Sequence, residues 1–196
     1  GSGDRIGAVI YNDEQIKVIP AKRGQQHVVN LLAEILKKNQ QLSIKSSDDS
    51  NNSSNTTTSA KTMTETESFN KMLMTLNKIA GPNALIMLMG DGHGYNDKST
   101  GFIKKLRQHN EVIAFHIYDP LEYKLPKMSQ MIVSDGKQQI QFSSSDVSIQ
   151  KKYQQEITEQ LETYVKTAKK YRIPLIEIDT LTPVEQQLRK ALGNPQ

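Results

Sequence analysis

Residues 84–97, ALIMLMGDGHGYND, contain the side chains best suited to chemistry in this sequence. An apolar run stops at alternating glycines, and between the glycines stand Asp91 and His93. Carboxylates and imidazoles are among the ligands that hold cations in two-metal hydrolases. The same glycines suit a strand-to-helix turn, because glycine tolerates positive φ. The segment therefore supports both a catalytic and a structural interpretation.

The catalytic interpretation comes from the pattern Gly-Asp-x-His-Gly, which resembles the start of the active site in two-metal phosphoesterases. That family completes its site downstream with a Gly-Asp motif containing Asp-Arg-Gly and with Gly-Asn-His. After His93 this chain has only His109 and His116, and neither stands in Gly-Asn-His. A metal-dependent phosphoesterase is therefore the alternative hypothesis. The sequence lacks the other metal ligands that this hypothesis requires.

Composition limits the class of protein. The 196 residues suffice for one domain, and a hydrophobic share of 36% indicates that part of the length stays outside a core. A net charge of +4, spread over short groups of lysines, favours a solvated face over nucleic-acid binding. The chain has no cysteine and no apolar run near the roughly 18 residues of a membrane span. We expect a cytoplasmic domain without a membrane segment, although the parent protein can carry membrane helices upstream.

Apolar periodicity divides the chain into strands and helices. The predicted strands are 5–11, 15–21, 84–89, 112–118 and 173–180, and the predicted helices are 24–40, 64–81, 99–109, 153–168 and 182–192, the last with Thr182 as N-cap. Residues 131–142 read as a hairpin that turns near Asp135-Gly136. The continuous apolar run 84–89 predicts a parallel strand covered on both faces.

This alternation favours an α/β fold with a mostly parallel, doubly wound sheet and helices on both faces. Ligands in such sheets bind at the carboxyl ends of the strands. Asp91, Asp119 and Asp179 all stand at such ends. A different composition marks residues 46–59, which are only Ser, Asp, Asn and Thr. We predict a disordered insertion there, with limits near 41–61.

Five further segments carry a resemblance to a known family: GDRIGAVIYND, PAKRG, HNEVIAFHIYDPLEYKLP, SDGKQQIQF and YRIPLIEIDT. Together with the order of elements, they resemble a von Willebrand factor A-type domain. More narrowly, the chain is similar to the bacterial family called domain of unknown function fifty-eight. The resemblance covers nearly the whole chain except 41–61, so we treat residues 1–196 as a single domain.

The resemblance implies a three-layer Rossmann-like fold with an antiparallel edge strand and a small β-hairpin. It also implies a noncatalytic role in protein–protein interaction. Genes of this family commonly lie beside those of MoxR-type AAA+ ATPases, so such an ATPase is the expected partner. A nucleotide-binding domain is disfavoured, because GDGHG has the wrong spacing for a phosphate-binding loop.

The wider class also implies a metal site. Its metal-competent members hold Mg²⁺ with an Asp-x-Ser-x-Ser loop, a Thr and a later Asp. Asp91 matches that Asp, and the Thr falls near Thr64 or Thr66, with Thr66 retained as the candidate. The Asp-x-Ser-x-Ser loop is expected upstream of Gly1, so Mg²⁺ binding depends on it. The carboxylates of Asp119 and Glu122 are expected to orient their loop through turn hydrogen bonds.

The strand that carries the Asp-x-Ser-x-Ser loop lies, in that fold, between the strands 5–11 and 84–89. The domain is therefore expected to be incomplete at its N-terminal side. Two strand edges would then be exposed, which predicts either closure of the neighbouring strands or self-association.

Overall fold

The computed structural model describes residues 3–12, 15–40, 63–123, 131–134, 139–142 and 147–193. The described residues form an α/β structure with seven strands and six helices. The predicted insertion at 41–61 and the predicted hairpin turn at Asp135-Gly136 lie outside them.

The central sheet has three parallel strands, β3 (Leu85–Gly90), β4 (Glu111–Tyr118) and β7 (Leu175–Asp179), in the order β3-β4-β7. Leu85 stands opposite Glu111, and Tyr118 stands opposite Asp179, so the carboxyl ends form one edge. The predicted α/β fold with a parallel sheet is confirmed for these three strands. The prediction that β3 is covered on both faces is wrong, because Ile86 is buried while Leu85, Met87 and Met89 are more than half exposed.

Two antiparallel pairs accompany this sheet. β1 (Ile6–Tyr11) pairs with β2 (Ile16–Lys22), and β5 (Met131–Ser134) pairs with β6 (Gln139–Phe142). Both pairs agree with the predicted strands. The β1-β2 pair forms a sheet of its own, so β1 and β3 have not closed onto each other.

Six helices connect or follow the strands: α1 (Gln25–Gln40), α2 (Glu65–Ile79), α3 (Asp97–His109), α4 (Pro120–Tyr123), α5 (Val147–Lys170) and α6 (Val184–Ala191). A capping box between Thr64 and Glu67 starts α2. The predicted N-cap of α6 is wrong. Pro183 takes that position, and the Thr182 carbonyl instead accepts a hydrogen bond of 2.7 Å from the Gln187 side chain.

The hydrophobic core lies on one face of the parallel sheet, under α2, α3 and α5. It consists of Phe69, Met72, Leu73, Ile86, Ile103, Leu106, Val112, Ala114, Ala168 and Ile173. Side chains of β1, including Val9 and Tyr11, pack against the same core. None of the helices in the described ranges has the length and apolar character that a membrane crossing requires.

Candidate functional site

The turn between β3 and α3 is built by its glycines. Gly92 and Gly94 have φ angles of 80° and 79°, where other residues are strained. The Asp91 carboxylate accepts a hydrogen bond of 2.9 Å from the His93 backbone N–H, which closes the turn locally. A β-carbon on Gly94 would lie 2.6 Å from the carbonyl oxygen of Glu65, so the turn also packs closely against the start of α2. The positive φ predicted for this turn is therefore confirmed at Gly92 and Gly94.

The same aspartate turn follows the other two strands of the sheet. Asp119 accepts a bond of 2.9 Å from the Leu121 backbone N–H. Asp179 accepts bonds of 2.9 Å from Leu181 and 2.6 Å from Thr182. The Thr182 backbone N–H is the main cause that lowers the pKa of Asp179. The turn hydrogen bond predicted for Asp119 is present, while the side chain of Glu122 lies outside the described part of the chain.

These two turns present leucines at the carboxyl edge of the sheet. Leu121 is 60% exposed and Leu181 is 75% exposed. The turns are neighbours, because the Thr180 backbone N–H donates a bond of 3.1 Å to the Tyr118 carbonyl. Sequence reasoning missed both leucines. The available signal was the pattern Asp-x-Leu, which follows two predicted strands.

A buried polar network holds the β3–α3 turn against α2. Ser99, which is fully buried, donates a bond of 3.0 Å to the side-chain oxygen of Asn70. The Asn70 amide donates a hydrogen bond of 3.2 Å to the side-chain oxygen of Asn96, the N-cap of α3. Asn96 and Ser99 form a capping box at the start of α3. The amide of Asn70 thus fixes the first turn of α3 relative to α2. Sequence reasoning did not identify this network.

Aromatic side chains lie below the same turn. The Tyr95 hydroxyl donates a bond of 2.7 Å to Thr167 and contacts the Thr100 hydroxyl. The Tyr164 ring lies 5.7 Å from that of Tyr95, and burial, followed by the charge of Tyr95, raises the pKa of Tyr164 to about 12. A mainly apolar cavity of about 30 Å³, enough for about one water molecule, lies between these groups. These aromatic and hydroxyl groups support the turn from below by packing and hydrogen bonds.

His116 belongs to this support. It is 6% exposed, and its ring is stacked on Tyr118 with the centroids 5.7 Å apart. A β-carbon on Gly92 would lie 3.7 Å from the His116 ring, so this histidine packs under the turn. His93, by contrast, is exposed at the surface of the turn.

The residues predicted for a metal site come from two adjacent segments. Thr66 lies in the first turn of α2, and a β-carbon on Gly94 would lie 3.0 Å from its backbone nitrogen. The turn that carries Asp91 therefore packs beside the helical turn that carries Thr66. The hydroxyl of the other candidate, Thr64, is used for capping α2. Magnesium prefers about six oxygen ligands in an octahedron, and one carboxylate with one hydroxyl does not supply them.

Among the residues that the structure describes, no group of three or more His, Cys, Asp or Glu side chains could hold a metal ion. Asp91 and Thr66 do not fit Mg²⁺ by themselves. Their participation in a larger metal site remains a prediction that requires donors from an upstream loop.

The parallel sheet, with helices on its core face and aspartate turns at its carboxyl edge, places the protein in the α/β class. Comparison with family models narrows this class. The chain belongs to the family described as "Protein of unknown function DUF58", whose model matches residues 1–163. This match confirms the narrower family resemblance noted from the sequence.

None of the curated proteins compared with the chain matches it significantly. Among solved structures, the chain is similar to the crystal structure of conserved hypothetical protein BatB from Bacteroides thetaiotaomicron, with 8% sequence identity and a TM-score of 0.43. That alignment covers 98% of this chain and 78% of the BatB chain.

Proposed function

We propose that this protein is a noncatalytic interaction domain of the von Willebrand factor A type, which binds its partner at the carboxyl edge of the sheet. The exposed leucines Leu121 and Leu181 carry the proposal. Large apolar side chains that are exposed to water, on a backbone fixed by local hydrogen bonds, are typical of a binding surface. Burying such side chains in a complex is favourable.

The backbone that carries Leu121 and Leu181 is fixed by hydrogen bonds, which supports a role for these side chains in binding. Each leucine stands two residues after an aspartate whose carboxylate holds its backbone N–H at 2.9 Å. The two turns follow adjacent strands, so both leucines are anchored to the rigid sheet. A surface that is ordered before binding loses little conformational entropy in the complex.

The proposed partner is a MoxR-type AAA+ ATPase, to which this domain would be an adaptor. This assignment rests on the family to which the chain belongs. We further propose that Asp91 is placed for a shared metal site. It lies after β3 at the same edge of the sheet, and a carboxylate of the partner could add oxygen ligands.

The partner assignment is tested with a purified MoxR-type AAA+ ATPase from the source organism and the 196-residue chain. We expect saturable binding in isothermal titration calorimetry. A double variant, Leu121→Ser with Leu181→Ser, should weaken the affinity about tenfold or more, as expected for removal of apolar anchors. Leu192→Ser is the matched control, because Leu192 is 67% exposed at the end of α6.

Two different outcomes test the identity of the partner and the position of the interface. If the ATPase does not bind the unaltered chain, the partner is wrong. If it binds and the double variant binds equally well, the leucine edge is not the interface.

A further inference from the structure

Three helices end at the amino edge of the parallel sheet, opposite the edge that carries Leu121 and Leu181. α2, α3 and α5 lead through short connections into β3, β4 and β7. Parallel strands all begin at one edge of a sheet, so the ends of these helices lie on the same side of the molecule. We define the amino-edge surface by these helix ends and the connections that follow them, residues 78–85, 104–111 and 169–174.

The amino-edge surface concentrates positive charge. Its seven basic residues are Lys78, Lys104, Lys105, Arg107, Lys169, Lys170 and Arg172, and all except Arg107 are exposed. They stand against one acidic residue, Glu111, which gives a net charge of +6, whereas the whole chain has +4. The rest of the chain is therefore net negative. Single cations at helix ends favour the helix dipole, but many cations on one side of a protein also attract an anionic partner.

Arg172 occupies a backbone position that usually selects glycine. Its N–H donates a bond of 3.1 Å to the Lys169 carbonyl, and the Ile173 N–H donates one of 2.8 Å to the Ala168 carbonyl. These are the two bonds of a Schellman motif at the end of α5. The φ of Arg172 is 53°, a region in which side chains are strained. Glycine would serve the motif better, so the exposed arginine points to a role for its guanidinium in binding.

A groove lies within the amino-edge surface. It has a volume of about 580 Å³, is open to solvent, and is lined by residues 82–85 and 107–111. Leu85, which is 55% exposed, contributes apolar surface to it. The Arg107 guanidinium is held there by a bond of 3.2 Å from Nη1 to the Asn110 carbonyl. The Asn110 side chain in turn accepts a bond of 3.0 Å from the Ala84 N–H, which fixes the two sides of the groove to each other.

We propose that the amino-edge surface binds an acidic peptide segment of a partner protein. An apolar side chain of the segment would pack on Leu85, and its carboxylates would bind the surrounding lysines and arginines. Arginine binds carboxylates through paired hydrogen bonds, and the arginines of this surface leave such donors available. This surface shares no residue with the leucine edge, so the proposal is independent of the partner proposed there.

The shape and chemistry of the surface favour a peptide over other anionic partners. A concave groove accommodates a protruding side chain, whereas a lipid bilayer presents a flat surface. Single-stranded nucleic acid binds largely by stacking its bases on aromatic side chains. The aromatic residue of the amino-edge surface, Tyr171, packs against the core, and Lys170 lies 5.7 Å from its ring centroid.

Fluorescence anisotropy with a labelled synthetic peptide tests the proposal. The probe is a peptide of about nine residues, with Glu at every position except a central Leu. We expect saturable binding to the 196-residue chain that weakens as NaCl rises from about 50 to 300 mM. Replacing every Glu of the probe with Gln should abolish binding. Replacing its Leu with Ser should weaken binding about threefold or more, because the contact with Leu85 is lost.

Two variants of the protein locate the site. Arg172→Gly should weaken the affinity about threefold or more, yet raise the urea midpoint of unfolding, because glycine suits the positive φ. Lost affinity in a more stable protein cannot result from misfolding. Lys169→Gln with Lys170→Gln should weaken binding about tenfold. The matched control is Lys151→Gln with Lys152→Gln, which removes two exposed lysines near the opposite end of α5 and should change the affinity less than about twofold.

Four outcomes would overturn the proposal. The first is that the acidic peptide does not bind. Equal weakening by the two lysine pairs would mean general charge attraction without a site, and unchanged affinity in Arg172→Gly would remove the role of the strained arginine. Tighter binding to phosphatidylserine vesicles or to oligouridine, lost in Lys169→Gln with Lys170→Gln, would assign the surface to a membrane or to RNA.

Discussion

Gly94 packs against the carbonyl oxygen of Glu65, so the turn after β3 and the first turn of α2 touch through their backbones. A β-carbon on Gly94 would lie 2.6 Å from that oxygen. Gly94 also has a φ of 79°, which disfavours any side chain. The glycine at position 94 is thus explained by packing between the turn that carries Asp91 and the helical turn that carries Thr66.

Replacing Gly94 with alanine tests this contact. We expect Gly94→Ala to lower the free energy of unfolding by about 2–4 kcal/mol, because backbone strain and steric overlap act together. Gly24→Ala has only the strain, since φ is 104° and a β-carbon there meets nothing within 4 Å; about 1–2 kcal/mol is expected. Gly101→Ala, in open space within α3, should stabilise by about 0.5–1 kcal/mol. Urea denaturation of the three variants measures their free energies of unfolding. Equal losses of stability in Gly94→Ala and Gly24→Ala would refute the contact between Gly94 and Glu65.

A second prediction concerns the buried amide of Asn70. Asn70→Leu removes its bonds to Ser99 and Asn96 and leaves polar atoms buried without that partner. The free energy of unfolding should fall by about 2–3 kcal/mol. Asn30→Leu is the control, because Asn30 is exposed and accepts only a surface bond from Gln26. Thermal denaturation that showed the same change for both variants would mean that the network does not hold α3 to α2.

The positions of strands and helices could be predicted because the spacing of apolar residues along the chain reflects the local secondary structure. The open face of β3 could not, since LIMLM is apolar at every position and does not distinguish a buried side chain from an exposed one. The network was missed because Asn70 and Ser99 are 29 residues apart and meet only when α2 packs on α3. The N-cap of α6 was misplaced because the carbonyls of Asp179 and Thr182 are bonded by the Gln187 side chain, a tertiary contact.

The raised pKa of Tyr164 predicts that the folded protein loses stability at alkaline pH. Its pKa is raised to about 12 in the folded protein from an ordinary value of 10, mainly by burial. The unfolded chain therefore loses this proton first, and the stabilisation is complete below pH 10 and is lost as the pH rises from 10 to about 12. The loss should reach about 2–3 kcal/mol, at about 1.4 kcal/mol for each pKa unit. Tyr164→Phe should remove this part of the pH dependence. Urea midpoints at pH 9 and near pH 12 measure it, and an equally steep decline in the variant would show that Tyr164 is not responsible.

The turn at Asp91 and His93 provides the last prediction, which separates the interaction domain from a phosphoesterase. The carboxylate of Asp91 closes the turn by accepting the His93 N–H, and the described residues near it do not form a cluster of metal ligands. If the domain is noncatalytic, as proposed, p-nitrophenyl phosphate and its bis ester should be hydrolysed no faster than in buffer, with Mn²⁺ or Ni²⁺ present. Asp91→Ala and His93→Ala should leave this rate unchanged, as should Asp119→Ala, which removes the equivalent turn after β4. Metal-dependent hydrolysis that Asp91→Ala and His93→Ala abolish, but Asp119→Ala does not, would replace the noncatalytic proposal with an enzyme.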